Sequence, residues 1–281
     1  FPDYVEQVRA MGPDAGPWRR LNLAFVELDG VPHRAMDVLN RVNGRDGRRR
    51  PTLNNMEGLS PTIAYLASHV RRHGFSFDFV TLFQDERRRL ARLLRGGDVM
   101  AVAITTTFYV GTWWIEEIVH VVRRLSPSTR IIVGGPYLYN QSVLAPERMD
   151  ELFAELDADV YVISREGELA LTRVLDALKG RRSLGAIDNI AYRRRGRFVR
   201  TTASPEVNPL AANPVDYDLF PSRIGEFVAI RTSKSCPFAC AFCSYPQQAG
   251  AYVYEGIDAV EQELDRIRRV GTVTTLAFID D

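Results

Sequence analysis

This sequence lacks several features that define broad classes of protein. No stretch approaches the roughly 18 consecutive apolar residues that a membrane span needs, and no charged start followed by an apolar run marks a signal peptide. The 36 basic and 35 acidic residues leave a formal charge of only +1, so there is no strongly basic surface for nucleic acid. We therefore expect a cytoplasmic globular protein that binds neither nucleic acid nor a membrane.

Cysteine and histidine are scarce, with three and four copies among 281 residues. An odd cysteine count in a reducing compartment argues against a disulfide framework and favours metal binding or catalysis. The Gly-x-Gly-x-x-Gly of dinucleotide-binding folds and the Walker phosphate loop are also missing. Ordinary dinucleotide or ATP binding therefore lacks its expected residues.

What the sequence does contain is an alternation of β-rich apolar runs with amphipathic segments. This alternation predicts an α/β fold in which helices cover both faces of a parallel sheet, a doubly wound arrangement. A polar hairpin is predicted to close the unit. The predicted strands are 21–28, 75–82, 99–108, 130–136 and 159–168, the hairpin is 189–200, and the predicted helices are 61–74, 85–97, 112–125 and 168–180.

The periodic pattern stops at residues 203–225, which are rich in Pro and Asn and are typical of a linker lying over a surface. A strand, a loop, a helix ending at Gly271 and a second strand are predicted after it. The predicted division is an N-terminal extension at 1–20, a first domain at 21–202, the linker, and a second domain at 226–281.

Polar or small residues lie at the ends of three of the predicted strands of the first domain. In open α/β sheets, ligands bind beyond the carboxyl ends of the strands, so these residues are candidate ligands. Ordinary strand composition, a turn and helix capping explain them equally well when each is taken alone. The candidates are Thr105, Thr106, Thr107, Gly134, Gly135, Pro136, Glu166 and Glu168.

The three cysteines, Cys236, Cys240 and Cys243, all lie within eight positions. A structural zinc site would need four ligands, and the last histidine in the sequence is His120. A cubane iron–sulfur cluster with three cysteine ligands would leave one iron open to a substrate. The spacing therefore favours a catalytic cluster, while zinc with a distant ligand and three buried structural cysteines stay open as explanations.

The stretch CPFACAFC, residues 236–243, resembles the CxxxCxΦC signature of the radical S-adenosylmethionine enzymes, with Phe242 at the aromatic position. In that family the three cysteines hold a [4Fe–4S] cluster, and S-adenosylmethionine binds its open iron. One electron from the cluster then cleaves the sulfonium to methionine and a 5′-deoxyadenosyl radical. The resemblance implies that all three cysteines are cluster ligands.

The position of this stretch also resembles the family, because it follows a predicted strand and precedes a predicted helix, as at the opening of a partial (β/α) barrel. Tyr245 and Pro246 come just after the cysteines, where family members often contact the adenine. The resemblance therefore implies that Phe242 and Tyr245 contact S-adenosylmethionine.

The upstream unit resembles the Rossmann-like cobalamin-binding domain that precedes the barrel in one branch of these enzymes. The segments GLSPTIAYLASHVRRHG, IIVGGPY and ISREGE are similar to its first helix, glycine loop and acidic loop. The resemblance implies a bound cobalamin, bordered by the candidate residues named above, from Thr105 to Glu166.

The chain departs from the DxHxxG motif by which some cobalamin proteins bind cobalt through histidine, because Asp29 and His33 are spaced differently. The resemblance implies instead that the lower cobalt face meets the loop containing Asn54, Asn55 and Met56. The remaining histidines, on predicted helices, are expected to be structural or solvated.

A second departure concerns length, since the barrel of this family has about six strands and only two are predicted here. We expect the chain to be a fragment of a longer enzyme, because an open two-stranded edge would expose unpaired backbone groups. Asp280 and Asp281 follow the second strand and are expected either at the active-site face or as the cap of a further helix.

The resemblance implies a cobalamin-dependent radical S-adenosylmethionine methyltransferase of natural-product type, acting on an unactivated carbon or a phosphinate phosphorus of a small-molecule or peptide substrate. Methylcobalamin would donate the methyl group, and a flavodoxin or ferredoxin would supply electrons. Some members of the branch catalyse cyclisation or rearrangement instead. A non-catalytic cobalamin-binding module and a zinc-stabilised binding protein also stay open.

Overall fold

The computed structural model describes residues 58–109 and 111–280, with Ala10 and the short pieces 26–28, 31–33, 38–39 and 41–42. The chain divides into two compact units, Phe1–Glu57 and Gly58–Asp281. In the first unit, β1 (Val26–Leu28) pairs in antiparallel fashion with β2 (Val31–His33). The prediction of a strand at 21–28 is confirmed over its last three residues, and the rest of it lies outside the described residues, as do Asn54, Asn55 and Met56.

A five-stranded sheet forms the centre of the second unit, with its strands side by side in chain order. The first three strands run parallel, and the last three are antiparallel neighbours, so the predicted closing hairpin is confirmed. The strands are β3 (Ala101–Thr105), β4 (Arg130–Gly134), β5 (Val160–Val162), β6 (Ile190–Arg194) and β7 (Arg197–Arg200).

Helices cover both faces of this sheet, as the sequence pattern predicted. They are α1 (Pro61–Arg72), α2 (Phe83–Arg95), α3 (Trp113–Leu125), α4 (Pro136–Leu144), α5 (Met149–Leu156) and α6 (Glu168–Lys179). Within β4, Ile131 and Val133 pack against α2, α3 and α5, whereas Ile132 packs on the opposite face against α1 and α6. Successive side chains of a strand point to opposite faces, which is why a continuous apolar run suits a strand covered on both sides.

The prediction of a strand at 75–82 is wrong, because these residues do not pair in any sheet of the described chain. Phe77 and Phe79 instead pack against Phe220, with ring centroids 5.9 and 5.7 Å away. The backbone N–H of Thr81 donates to the Glu86 carboxylate at 2.7 Å. The alternation of apolar residues in this segment therefore arises because Phe77 and Phe79 pack on the hydrophobic cluster around Phe220, and does not arise from a strand.

The last part of the chain is a parallel strand–helix–strand unit, as predicted. β8 (Phe227–Ile230) pairs in parallel with β11 (Thr275–Phe278), and α8 (Ile257–Val270) lies between them in sequence. A glycine with positive φ, Gly271, ends α8, as a left-handed C-terminal position requires. Between β8 and α8 lie β9 (Ser233–Lys234), α7 (Tyr245–Ala249) and β10 (Val253–Tyr254).

Residues 203–225, which precede this unit, form two short 3-10 turns, Leu210–Ala212 and Tyr217–Leu219, and are otherwise irregular. The expectation that this stretch lies over a surface is wrong in one respect, because several of its apolar side chains are buried. They form a third hydrophobic cluster with α1, β8 and α8, to which the stretch contributes Leu219, Val215, Tyr217, Phe220 and Ile224.

The fold is thus α/β with a partly parallel sheet. None of the helices in the described ranges is long and apolar enough to cross a membrane.

Candidate functional site

The three cysteines lie in one loop, residues 235–252, which we call the cysteine loop. A short antiparallel ribbon of β9 and β10 closes its base, pairing Lys234 with Val253. Ser235 is fully buried with φ 66°, and its hydroxyl donates to the carbonyl of Gly250 at 2.7 Å. Hydrogen bonds therefore hold the first and last residues of the cysteine loop next to each other.

All three cysteines are free thiols, with Cys240 exposed and Cys236 and Cys243 partly buried. The backbone N–H of Cys243 donates to the carbonyl of Cys240 at 3.0 Å, which makes a turn of this part of the loop. Across the described residues, no three His, Cys, Asp or Glu side chains are gathered closely enough to hold a metal ion. The donor set nevertheless fits an iron–sulfur cluster in its chemistry, because three unpaired thiols share one accessible loop.

The two aromatic residues expected to contact S-adenosylmethionine lie beside the cysteines. Phe242 is 92% exposed, and Tyr245, at the start of α7, is 36% exposed. An aromatic ring that is almost wholly exposed on a loop makes no contribution to a core and is available to a ligand. Their role as cofactor contacts stays a prediction.

Asp280 ties the end of β11 to the entry of the cysteine loop. Its carboxylate accepts hydrogen bonds from the N–H and hydroxyl of Thr232 and from the N–H of Ser233, at 2.5 to 2.8 Å. Burial opposes the charge, but these hydrogen bonds outweigh it and hold the pKa of Asp280 below its ordinary value. Asp280 thus lies just beyond the carboxyl end of β11 and is bonded to the chain just before the cysteines, whereas Asp281 is outside the described residues.

The threonines at the end of β3 and the glycines at the end of β4 come together at the carboxyl edge of the five-stranded sheet. Thr105 is the strand partner of Gly134, and Thr106 N–H donates to the Gly134 carbonyl at 2.8 Å. The hydroxyls of Thr105 and Thr107 lie 2.9 Å apart. Parallel neighbours end at the same edge, which is why two distant motifs meet here.

Gly135 has φ 108°, and a Cβ atom there would lie 2.9 Å from both N and Oγ1 of Thr106. Pro136 follows as the first residue of α4. Thr106 is fully buried, and its hydroxyl has no hydrogen-bond partner among the described residues. A buried unpaired hydroxyl next to a side-chain-free backbone fits a site that a polar cofactor group completes.

Glu166 lies in the loop between β5 and α6, residues 163–167, which we call the acidic loop. One carboxylate oxygen of Glu166 lies 3.0 Å from the ammonium of Lys234, and the other accepts the N–H of Asn208 at 2.7 Å. Lys234 also donates to the Asn208 carbonyl at 2.6 Å. Protein groups thus engage both oxygens of Glu166, and its role as a cofactor ligand stays a prediction.

Glu168 is the first residue of α6 and is 8% exposed. Burial raises the pKa of its carboxyl, and the nearby charges of Glu166 and Glu206 raise it further. Asn208 Nδ2 donates to Glu168 at 3.0 Å and to Glu206 at 3.1 Å. Glu166 and Glu168 therefore belong to a hydrogen-bonded network around Asn208, whereas the sequence suggested, apart from a ligand role, only that one of them caps the helix.

Lys234 and Asn208 are site residues that the sequence reasoning missed, and Arg165 was included only as the first residue of the REGE motif. Asn208 falls in the aperiodic stretch, and Lys234 precedes the cysteine motif without belonging to it. The only sequence signal for Lys234 is its position two residues before Cys236. No spacing rule marks the partners of Arg165, which come from α4 and α7.

Two of the four histidines lie on helices as expected, whereas His33 ends β2. His69 and His120 belong to α1 and α3, and His73 follows the last residue of α1. Burial lowers the pKa of His69, whose Nδ1 is 3.3 Å from Oδ1 of Asn213. His69 therefore joins α1 to the aperiodic stretch, a structural role.

Comparison with known proteins finds relatives that include a methyltransferase and two cyclases, although no family model matches the chain. The chain is 26% identical over 235 residues to an uncharacterized methyltransferase of Pyrococcus horikoshii, covering 78% of the chain and 48% of that protein. It is 25% identical over 130 residues to the anaerobic magnesium-protoporphyrin IX monomethyl ester cyclase of Synechocystis sp., covering 43% of the chain and 24% of that protein. It is also 25% identical over 199 residues to the cyclase of the same name from Rubrivivax gelatinosus, covering 65% of the chain and 34% of that protein.

Among solved structures, the chain is similar to the radical S-adenosylmethionine methyltransferase TsrM of Kitasatospora setae. The structure with tryptophan and a S-adenosylmethionine analogue matches with a TM-score of 0.56 and 17% identity, covering 79% of this chain and 45% of that one. The structure with cobalamin and a [4Fe–4S] cluster matches with a TM-score of 0.56 and 18% identity, over 79% and 46%. At this identity the likeness shows the fold.

The predicted resemblance to cobalamin-binding radical S-adenosylmethionine enzymes is thus confirmed at the level of the fold. The chain spans less than half the length of each of the relatives and structures described.

Proposed function

We propose that this chain forms the cofactor-binding part of a cobalamin-dependent radical S-adenosylmethionine methyltransferase. The observation that carries the proposal is the position of three free thiols, Cys236, Cys240 and Cys243, in a loop at the carboxyl end of β8 within a parallel strand–helix–strand unit. The methyltransferase among its relatives and the fold shared with TsrM support the same class.

The proposal assigns two roles to the chain. The cysteine loop would hold a [4Fe–4S] cluster, with Phe242 and Tyr245 lining the place of S-adenosylmethionine. The carboxyl edge of the five-stranded sheet would hold cobalamin against Gly134, Gly135 and the hydroxyls of residues 105–107, with Pro136 and Glu166 at its border. When bound, the cluster supplies an electron that cleaves S-adenosylmethionine, and cobalamin supplies the methyl group.

The chain's own residues prepare these places. Asp280 fixes the entry of the cysteine loop through Thr232 and Ser233, and Ser235 closes its stem. Gly135 keeps the backbone edge free of side chains. On this proposal the fold is a Rossmann-like cobalamin domain followed by the start of a (β/α) barrel. The domain bounds 21–202, 203–225 and 226–281 stay a prediction, and residues 58–281 form one compact unit across them.

The substrate is proposed to be a small molecule or peptide methylated at an unactivated carbon or a phosphinate phosphorus, with electrons from a flavodoxin or ferredoxin. TsrM, crystallised with tryptophan as its substrate, is a precedent for a small-molecule substrate.

Anaerobic reconstitution with iron and sulfide, followed by reduction with S-adenosylmethionine present, tests the proposal. We expect about four irons per chain and release of 5′-deoxyadenosine, both lost in Cys240→Ala. The exposed Ser222→Ala in the turn before β8 is the matched control and should retain both. A colourless protein with one zinc, or a cluster-bearing protein that never yields the nucleoside, would contradict the proposal.

A second candidate function is cyclisation without methyl transfer, and the two cyclases among the relatives favour it. S-adenosylmethionine with a deuterated methyl group separates the two functions. A methyltransferase passes the label to the corrinoid or the product, whereas a cyclase leaves all of it in methionine.

A further inference from the structure

Two adjacent residues of the acidic loop contact opposite ends of the cysteine loop. Glu166 contacts Lys234, which lies immediately before the loop, and Arg165 contacts Gln247 near its end. The acidic loop follows β5 of the five-stranded sheet, and so belongs to the edge where Gly134 and Gly135 lie. The acidic loop therefore connects the two proposed cofactor sites, the cysteine loop and the edge of the five-stranded sheet.

The contact on the entry side is well shielded from water. The side chains of Lys234 and Glu166 are 14% and 22% exposed, and Asn208 bonds to both of them through its backbone. Exposed ion pairs contribute little to stability, but a pair held by additional hydrogen bonds in a partly buried site resists displacement by water. Lys234 is fixed by this contact two residues before Cys236.

The contact on the exit side is made by the guanidinium of Arg165. Its Nη2 donates to the Gln247 carbonyl at 3.1 Å, and its Nε donates to the hydroxyl of Tyr139 in α4 at 2.8 Å. Gly250 has φ 90°, and a Cβ atom there would lie 3.0 Å from Nη1 of Arg165. The guanidinium thus bridges α4, which begins at the glycine pair, to the backbone that follows the cysteines.

We propose that Arg165 and Glu166 are positioning residues that set the conformation of the cysteine loop according to what occupies the edge of the five-stranded sheet. The proposal rests on the proposed function for the identity of that occupant, a corrinoid. Binding at the edge would move or stiffen α4 and the acidic loop, and the two side chains would pass this constraint to both ends of the cysteine loop.

Hydrogen exchange of peptides from residues 235–252, measured by mass spectrometry on the chain without cofactors, tests whether Arg165 and Glu166 hold the cysteine loop in place. Arg165→Met and Glu166→Ala should each speed exchange in this loop by about tenfold, in the range expected for removal of one partner of a coupled pair. Asp150→Ala, which removes the Arg200 ion pair on α5 and β7, is the matched control and should leave the loop unchanged.

Conservative variants separate positioning from general loss of stability. Lys234→Met and Lys234→Arg are similar in length, and only the second keeps a cation for Glu166. Exchange should be fast in the first and close to the wild-type rate in the second. Equal rates in these two variants, or no change in Arg165→Met and Glu166→Ala, would overturn the proposal.

Hydroxocobalamin is the probe for coupling. Its addition should slow exchange in residues 235–252 of the wild-type chain and have no such effect in the Arg165→Met/Glu166→Ala double variant. Slowing to the same extent in both proteins would overturn the coupling. Absence of hydroxocobalamin binding would overturn the proposed function instead, while the cofactor-free measurement still decides whether the two residues hold the loop.

Discussion

At the residue scale, glycines define the edge where the cobalamin is proposed to bind. The sequence identified Gly134 and Gly135 but left a plain turn and a ligand approach equally possible. The structure shows why Gly135 has no side chain: its φ of 108° and the nearness of Thr106 both forbid one. A glycine required by geometry is a stronger observation than a glycine found in a turn.

Replacing Gly135 by alanine is expected to destabilise the chain by two additive effects, backbone strain and a clash with Thr106. Gly97→Ala is the matched control, since Gly97 has φ 85° but open space around it. Strain at a positive φ should cost about 1–3 kcal/mol, and Gly135→Ala should cost at least about 1 kcal/mol more than Gly97→Ala because overpacking is added to a backbone conformation, ψ −174°, that is almost restricted to glycine. Urea unfolding measures both free energies, and equal losses in the two variants would contradict the close contact.

Single residues also show where sequence reasoning stops. Cys236, Cys240 and Cys243 were recognisable because their spacing is local, within one loop. The partners of Glu166 were not, because Asn208 and Lys234 are distant in sequence and their residue types are common on surfaces. Pairing across such distances depends on the fold and leaves no periodic signal.

At the scale of elements, apolar periodicity predicted the longer helices and most strands but missed the short helices α4, α5 and α7. The amphipathic pattern and Gly271 predicted α8 and its end. The same reasoning failed at residues 75–82, since apolar alternation arises equally in a strand and in an extended segment that packs aromatic rings on a core. Only the absence of a pairing strand among the described residues distinguishes the two.

The docking of α8 depends on a buried polar contact that the sequence did not reveal. Glu263 of α8 is 4% exposed and accepts a hydrogen bond from the hydroxyl of Tyr217 at 2.7 Å. Burial, and then the charge of Glu263, raise the pKa of Tyr217, so the tyrosine keeps its proton and donates at neutral pH.

Tyr217→Phe should lower the free energy of unfolding by about 1–3 kcal/mol, because it leaves a buried carboxylate without this donor. Tyr254→Phe, at a ring that is 74% exposed, is the control and should cost less than about 0.5 kcal/mol. Both values come from urea unfolding. A loss in Tyr217→Phe no larger than in the control would show that water satisfies Glu263.

At the scale of the whole molecule, the third hydrophobic cluster joins parts that the sequence assigned to separate domains. Phe220 lies within it at 1% exposure, together with side chains of α1, β8 and α8. Residues 58–281 form one compact unit in the contact pattern. Because the shared core is extensive, we expect this unit to unfold in one cooperative transition.

Phe220→Ala is expected to lower the free energy of unfolding by about 3–5 kcal/mol, since it removes a large buried ring. Val207→Ala, in the same stretch but 73% exposed, should cost less than about 0.5 kcal/mol. Fluorescence of Trp113 and Trp114 on α3 and far-ultraviolet circular dichroism should give coincident transitions that shift together. Separate transitions in the wild-type chain would mean that the two parts fold independently.

The sequence by itself determined the α/β class, most helices and strands, and the cysteine motif with the enzyme class that it resembles. These features depend on local periodicity and on short spacings, which a linear chain carries directly. Only the tertiary structure decided that the aperiodic stretch belongs to a core, that Gly135 must lack a side chain, and that Arg165 and Glu166 hold both ends of the cysteine loop. Each of these depends on contacts between distant residues, and such contacts exist only once packing has fixed which surfaces meet.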